Sequence, residues 1–123
     1  MFFINLKSMI QTLNIEKDSL ACDQAIAKVL TEIDVLNLQS QIKVLKVIHG
    51  YGSSGTGGKI KQELSLCLQN LVKQNKVKYF IQNEKFTPLK KEYSYYTKLY
   101  PQLILESDLQ NQNPGITLIF LNN

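Results

Sequence analysis

The feature that most constrains this chain is a glycine-rich stretch, residues 49–58, with the sequence His-Gly-Tyr-Gly-Ser-Ser-Gly-Thr-Gly-Gly. It holds five of the six glycines and the only histidine. A hydrophobic run at residues 42–48 leads into it, and apolar residues recur at helical spacing over residues 60–72. A strand, a glycine loop and a helix in this order bring backbone N–H groups close to an anion. The stretch therefore predicts an anion-binding site.

The rest of the chain predicts an α/β fold. Strands are expected at residues 2–6, 42–48, 77–81 and 116–121, with helices from an Asp18-Ser19 cap to about Leu36 and over residues 60–72, and a connection at residues 7–17. We expect a single domain over residues 1–123, a two-layer sandwich in which a mixed four-stranded sheet of order β-α-β-α-β-β carries two main helices. A right-handed crossover makes the first two strands parallel. Their carboxyl ends, at Lys7 and His49, then share one edge with the start of the second helix.

An insertion at about residues 82–113 precedes the last strand and holds four of the six tyrosines. Tyr93, Tyr96 and Tyr100 have helical spacing and are followed by Pro101, which predicts a short helix. The favoured interpretation is a packing element on the sheet. The alternative is stacking of tyrosines on nucleic-acid bases, assisted by nearby lysines; these are Lys85, Lys90, Lys91 and Lys98.

The net charge of +4 arises from fourteen lysines without any arginine. Residues 59–98 carry nine lysines against three acids, so the basic excess begins at the glycine loop. This excess is either an ordinary solvated surface or the electrostatic footprint of a polyanion such as nucleic acid. Cys22 and Cys67 are expected to be buried free thiols of a cytoplasmic protein. The amino-terminal residues are not typical of a signal peptide, and no apolar run is long enough to span a membrane.

Two well-known phosphate-binding motifs do not fit the glycine stretch. A nucleotide-triphosphatase loop needs Gly-x4-Gly-Lys followed by Ser or Thr, but Lys59 is followed by Ile60 and the first glycine position is Ser53. A dinucleotide-binding fingerprint would have to follow the first strand directly, and none does.

The stretch resembles the small MutS-related (Smr) domain, which is marked by a strand ending in His-Gly-x-Gly, a small-residue loop with further glycines, and a helix. The matching residues are 44–52 followed by 53–60, and residues 115–121 resemble the closing Gly-Val-Thr strand of the family. The resemblance covers about residues 3–81 and 114–121. It implies a two-layer α/β fold like the carboxyl-terminal domain of translation initiation factor 3. It also implies binding of DNA or RNA, and several members are endonucleases.

The resemblance makes His49 the candidate catalytic residue, for proton transfer at a phosphate. The family also carries Leu-Asp-x-His-Gly on its first strand. Here that place is taken by Ile4-Asn5-Leu6-Lys7-Ser8, with Asn5 in place of the acid and Lys7 in place of the second histidine. These changes preserve phosphate binding better than hydrolysis. The expected nucleic-acid-binding residues are Lys7, His49, Gly50, Tyr51, Gly52, Ser53, Ser54, Gly55, Gly57, Gly58, Lys59 and Lys61.

A second function remains open beside nucleic-acid binding: a non-catalytic module that docks on a protein or a ribosome through the tyrosine-rich insertion. The residues predict no metal site, because no Cys, His or carboxylate cluster has ligand spacing. An endonuclease activity would admit Mg²⁺ as its cofactor. No membrane partner is expected, and the sequence does not indicate an oligomeric state.

Overall fold

The computed structural model describes residues 8–17, 20–50 and 56–123, with residues 56 and 57 described in their backbone alone. A 3-10 turn, Asn83–Lys85, follows the third strand. The other elements within these ranges are, in chain order, β1 (Ile10–Asn14), α1 (Cys22–Asn37), β2 (Val44–Ile48), α2 (Thr56–Lys73), β3 (Val77–Gln82), α3 (Lys91–Leu99), α4 (Gln102–Leu105) and β4 (Ile116–Leu121).

The four strands form one mixed sheet in the order β1-β2-β4-β3. β1 lies parallel to β2, with Asn14 opposite Ile48, whereas β4 runs antiparallel to both of its neighbours. The predicted α/β class, the mixed four-stranded sheet and the element order are confirmed. The parallel pairing of the strands on either side of α1 is the expected result of a crossover connection.

A strand lies in a part of the chain where none was predicted. β1 falls inside residues 7–17, for which a connection was expected, and that prediction was wrong. β1 is at the edge of the sheet, and Ile10 is the one residue of the strand that is fully buried. Its polar positions Gln11 and Thr12 therefore made it a weaker strand signal than the more apolar residues 2–6. Residues 2–6, including Asn5, and Lys7 lie outside the described residues.

Helices α1 and α2 cover one face of the sheet. The buried residues of both helices pack on Leu45, Val47 and Ile119 of the central strands. These helical residues are Ala25, Ile26, Val29, Ile33 and Leu36 of α1 and Ile60, Leu64 and Leu68 of α2. Burying each large aliphatic side chain contributes about 1.5–3 kcal/mol. α1 begins at Cys22 with Ala21 as its N-cap, so the predicted cap at Asp18-Ser19 was two to three residues early.

The insertion covers the opposite face. α3 confirms the short tyrosine-rich helix, and Tyr96 lies flat against Phe120 of β4, with ring centroids 3.9 Å apart. Tyr96 also stacks on Tyr79 at 5.3 Å, and burial raises its pKa to about 12. Phe86, Leu103 and Leu109 complete this second core. The packing interpretation of the insertion therefore holds for Tyr96.

One charged residue lies inside this second core. Lys46, in the middle of β2, is 5% exposed. Its Nζ atom donates hydrogen bonds to both carboxylate oxygens of Asp108, at 2.9 and 3.0 Å, and lies 3.5 Å from Glu106 Oε1. A buried ammonium group requires such partners, because desolvation without them is costly. The ion pair therefore ties the end of the insertion to the central sheet.

Candidate functional site

The turn that follows β1 is hydrogen-bonded to the carboxyl end of β2. The backbone N–H groups of Ile15 and Glu16 both donate to the carbonyl oxygen of Ile48, at 2.9 and 3.3 Å. Asn14 Oδ1 accepts from the N–H groups of Glu16 and Lys17, at 3.0 and 3.2 Å, which closes an Asx turn. The two strands therefore end at one edge, as expected. The described polar side chains at the end of β1 belong to Asn14, Glu16 and Lys17.

His49 follows β2 at this edge, and its side chain points inward. The residue is 1% exposed. Its Nδ1 atom lies 2.5 Å from the carbonyl oxygen of Gly50, and its Nε2 atom lies 2.9 Å from Thr117 Oγ1. Because a carbonyl can only accept, this network assigns the proton to Nδ1, and the Thr117 hydroxyl donates to Nε2. Both ring nitrogens are therefore occupied within the protein.

The charges around His49 have opposing effects on its protonation. Burial lowers the pKa of His49 below its ordinary value and is the largest effect, and the nearby ammonium of Lys61 lowers the pKa further. The hydrogen bond to Gly50 and the carboxylates of Glu16 and Glu84 raise the pKa without reversing the shift. The imidazole is therefore neutral at pH 7.

Gly50 connects the same edge to the last strand. The N–H groups of His49 and Gly50 both donate to the carbonyl oxygen of Gly115, just before β4, at 2.9 and 3.1 Å. Gly50 has φ +74°, a left-handed conformation that other residues adopt only with strain. A Cβ atom at this position would also lie 2.1 Å from Oε2 of Glu16. The backbone therefore requires a glycine between the histidine and the loop.

The amino-terminal end of α2 supplies the lysines of the site. Lys59 is exposed in the first turn of the helix. Lys61 is mostly buried and forms an ion pair with Glu84, which follows β3. Because α2 begins at Thr56, Gly57 and Gly58 belong to the helix, and the prediction that the loop extends through Gly58 was wrong. The other predicted loop residues, Tyr51, Gly52, Ser53, Ser54 and Gly55, lie outside the described residues.

Four residues of this site were missed by the sequence analysis: Asn14, Glu16, Glu84 and Thr117. Asn14 followed by Glu-Lys is a local signal for an Asx turn, so it was available from the sequence. Thr117 lies 68 positions from His49, and Glu84 lies 23 positions from Lys61. No local pattern connects residues so far apart in the chain.

The site contains no metal-ligand cluster among the residues that the structure describes, since no group of three or more His, Cys, Asp and Glu side chains there could hold an ion. No helix in the described part of the chain is long and apolar enough to cross a membrane.

Comparisons with protein-family models, with curated proteins and with solved structures give no match for this chain.

Proposed function

We propose that the protein is a nucleic-acid-binding domain of Smr type, and that it contacts the phosphate backbone at the edge where β1 and β2 end. The observation that carries the proposal is the convergence of three elements on this edge. The Asx turn after β1 and the left-handed Gly50 after β2 lie beside His49, and Lys61 of α2 lies near its imidazole. The exposed Lys59 is in the first turn of the same helix. A helix N-terminus with exposed lysine is a favourable place for a phosphate group.

The position of β1 changes how the resemblance is aligned. At the end of β1 the chain reads Leu13-Asn14-Ile15-Glu16-Lys17, which fits the family pattern Leu-Asp-x-His-Gly better than the residues before it. In this register Asn14 stands for the acid, Glu16 for the histidine and Lys17 for the glycine. The pair of acid and histidine is therefore replaced here too. These replacements support nucleic-acid binding by this domain rather than hydrolysis of the backbone.

The hydrogen bonds of His49 also favour binding. A general acid must present a nitrogen to the leaving group, but both nitrogens of His49 are bonded to Gly50 and Thr117. Its assignment as catalytic stays a prediction. In the proposed function His49 is a positioning residue, which holds the turn at Gly50 and the start of β4 in place.

A salt titration of binding tests the proposal. Fluorescence anisotropy would follow labelled single-stranded RNA and duplex DNA from low to high salt, and the logarithm of the affinity should fall linearly with that of the salt concentration. Lys59→Ala should reduce the slope by about one phosphate contact. Lys73→Ala removes the same charge at the opposite end of α2, and it should leave the slope unchanged. A salt-independent affinity would contradict the proposal.

The ion pair between Lys61 and Glu84 provides a second test of nucleic-acid binding. Glu84→Gln releases Lys61 and removes a negative charge from the edge, so binding should become tighter by a few-fold. Incubation of supercoiled plasmid and labelled RNA, with and without Mg²⁺, tests cleavage with the same preparations. We expect no cleavage. Cleavage by the wild type that is lost in a folded His49→Gln variant would instead make His49 catalytic.

A further inference from the structure

The outer face of α3 forms an open groove on the surface of the insertion. Its lining residues recur at positions i, i+3, i+4, i+7 and i+8 of one helix and border an open, shallow space of about 490 Å³; they are Lys91, Ser94, Tyr95, Lys98 and Leu99. The inner face of the same helix carries Tyr96 against Phe120. α3 is therefore held by one face and presents the other to solvent.

The exposed face carries two large apolar side chains among its polar residues. Tyr95 is 56% and Leu99 is 47% exposed. Within the described residues, five of the eight exposed large apolar side chains fall between residues 89 and 105; the other three of these five are Leu89, Ile104 and Leu105. Of these five, Tyr95 and Leu99 both line the groove and lie one helical turn apart on α3, so they are adjacent apolar side chains on one exposed face.

The charges on this face are positive. Lys91 and Lys98 lie one at each end of the groove, and Lys90 precedes the helix. Among the residues described, neither Lys91 nor Lys98 forms an ion pair. The acid of the helix, Glu92, is half-buried and faces the second core, where burial first and then its carboxylate raise the pKa of Tyr79 and Tyr96. The groove is therefore complementary to an acidic partner.

The side chains on the two faces favour a protein partner over nucleic acid. Base stacking needs open aromatic rings. Tyr96 is buried against Phe120, and Tyr100 stacks at 6.4 Å from both of them. Tyr95 alone of the four insertion tyrosines is exposed, and its ring meets Tyr96 edge to face at 4.9 Å. The groove is completed by Leu99, which offers an aliphatic contact.

We propose that the outer face of α3 binds an acidic amphipathic helix of a partner protein. Apolar side chains of that helix pack between Tyr95 and Leu99, while carboxylates flanking them pair with Lys91 and Lys98. This mode of recognition uses apolar anchors at helical spacing and charge complementarity at the rim. The surface lies on the face of the sheet opposite α1 and α2, so it is separate from the edge at His49.

The experiment uses the whole chain and a synthetic, fluorescein-labelled peptide with Leu at i, i+3, i+4 and i+7 and Glu at the flanking positions. We expect saturable binding by anisotropy, with amide shift changes in α3 by nuclear magnetic resonance. Leu99→Ser should weaken binding about tenfold. The double variant Lys91→Glu and Lys98→Glu should reverse the charge preference, so that a matched peptide with Lys in place of Glu binds better.

The matched control is Leu66→Ser on α2, which removes a similarly exposed leucine (57%) on the other side of the sheet, and it should bind like the wild type. Far-ultraviolet circular dichroism verifies that each variant is folded. Equal affinity for the acidic and basic peptides, shift changes outside α3, or no binding would overturn the proposal. Oligouridine binding that is lost in Tyr95→Ala would also overturn it, because the face would then be a nucleic-acid surface.

Discussion

At the scale of single residues, the centre of the molecule's candidate site is a histidine that is built into the protein rather than presented to solvent. His49 uses one nitrogen to hold the carbonyl of Gly50 and the other to accept from Thr117. Such a buried, doubly bonded imidazole fixes the geometry of its neighbours. It links the end of β2 to β4 at the point where the chain enters the glycine stretch.

The neutral state of His49 predicts how stability depends on pH. Its pKa is lowered in the folded state, so below pH 6.5 the unfolded chain binds more protons than the folded chain. The free energy of unfolding should therefore fall as the pH decreases from about 7.5 to 5.5, and this slope should be reduced in His49→Gln. Urea denaturation at a series of pH values measures this dependence of stability on pH.

His49 is the only histidine, so ring titration by nuclear magnetic resonance checks the pKa directly. A pKa at or above 6.5 would contradict the assignment.

The left-handed backbone at Gly50 predicts a second effect. Gly50→Ala should lower the free energy of unfolding by about 1–2 kcal/mol, because a Cβ atom is unfavourable at φ +74°. The contact with Glu16 adds little, since an exposed carboxylate can rotate away. Measuring Gly50→Ala with and without Glu16→Ala separates the two causes. If Glu16→Ala restored full stability, steric contact rather than backbone strain would be responsible.

At the scale of elements, the sequence predicted those whose residues follow a strong local pattern. α2 has a buried stripe at helical spacing, and β2 is buried along nearly its whole length, so both were recognised. β1 was missed because an edge strand alternates weakly between apolar and polar positions. The predicted site residues Asn5 and Lys7 lie outside the described residues, and the strand that pairs with β2 ends at Asn14. The edge itself was predicted correctly, because it follows from the parallel connection.

The buried ion pair of Lys46 predicts that removing its acidic partner destabilises the fold more than removing the lysine charge itself. Asp108→Asn leaves a buried ammonium with the more distant Glu106 and should cost about 2 kcal/mol, less than a fully buried pair because Asp108 is 36% exposed. Lys46→Met replaces the buried charge with an apolar chain of similar length and should change stability by less than about 1 kcal/mol. Urea unfolding of both variants checks this. A larger loss for Lys46→Met would contradict it.

The two adjacent tyrosines of α3 predict opposite sensitivities. Tyr96 is 5% exposed and stacked on Phe120, so Tyr96→Ala should cost about 3–4 kcal/mol through the cavity that it leaves. Tyr95 is 56% exposed, and Tyr95→Ala should cost below about 1 kcal/mol. Thermal unfolding of the two single variants compares them on one helix. Equal losses would show that α3 does not pack as described.

At the scale of the whole molecule, the sheet divides the chain into two cores, and each borders its own candidate surface. The core under α1 and α2 ends at His49 and the edge proposed for nucleic acid. The core under the insertion carries α3 and the groove proposed for a protein helix. Sequence patterns indicated both cores but not their junctions, since the pairs His49–Thr117 and Lys46–Asp108 connect residues more than sixty positions apart.

The insertion is predicted to be an integral part of the fold. All six residues of β4 are buried, and Ile116, Leu118 and Phe120 face the core that the insertion completes. Replacing residues 84–114 with a two-residue turn should therefore abolish cooperative unfolding, because these side chains would become exposed. A short turn can still connect β3 to β4, because Gln82 and Thr117 are paired in neighbouring antiparallel strands, as in a hairpin. Calorimetry and nuclear magnetic resonance of the shortened chain measure the effect.

The control for this deletion is Leu89→Ser, which changes the insertion at a side chain that is 97% exposed and should keep the wild-type transition. A third variant combines the deletion with polar residues at Ile116, Leu118 and Phe120, which lie on the uncovered face. If loss of cover is the cause, this variant should recover solubility and part of the cooperativity, since a four-stranded sheet with helices on one face can leave its other face to solvent when that face is polar. Cooperative unfolding of the simple deletion would show that the first core is sufficient by itself and that the insertion is an accessory to the domain.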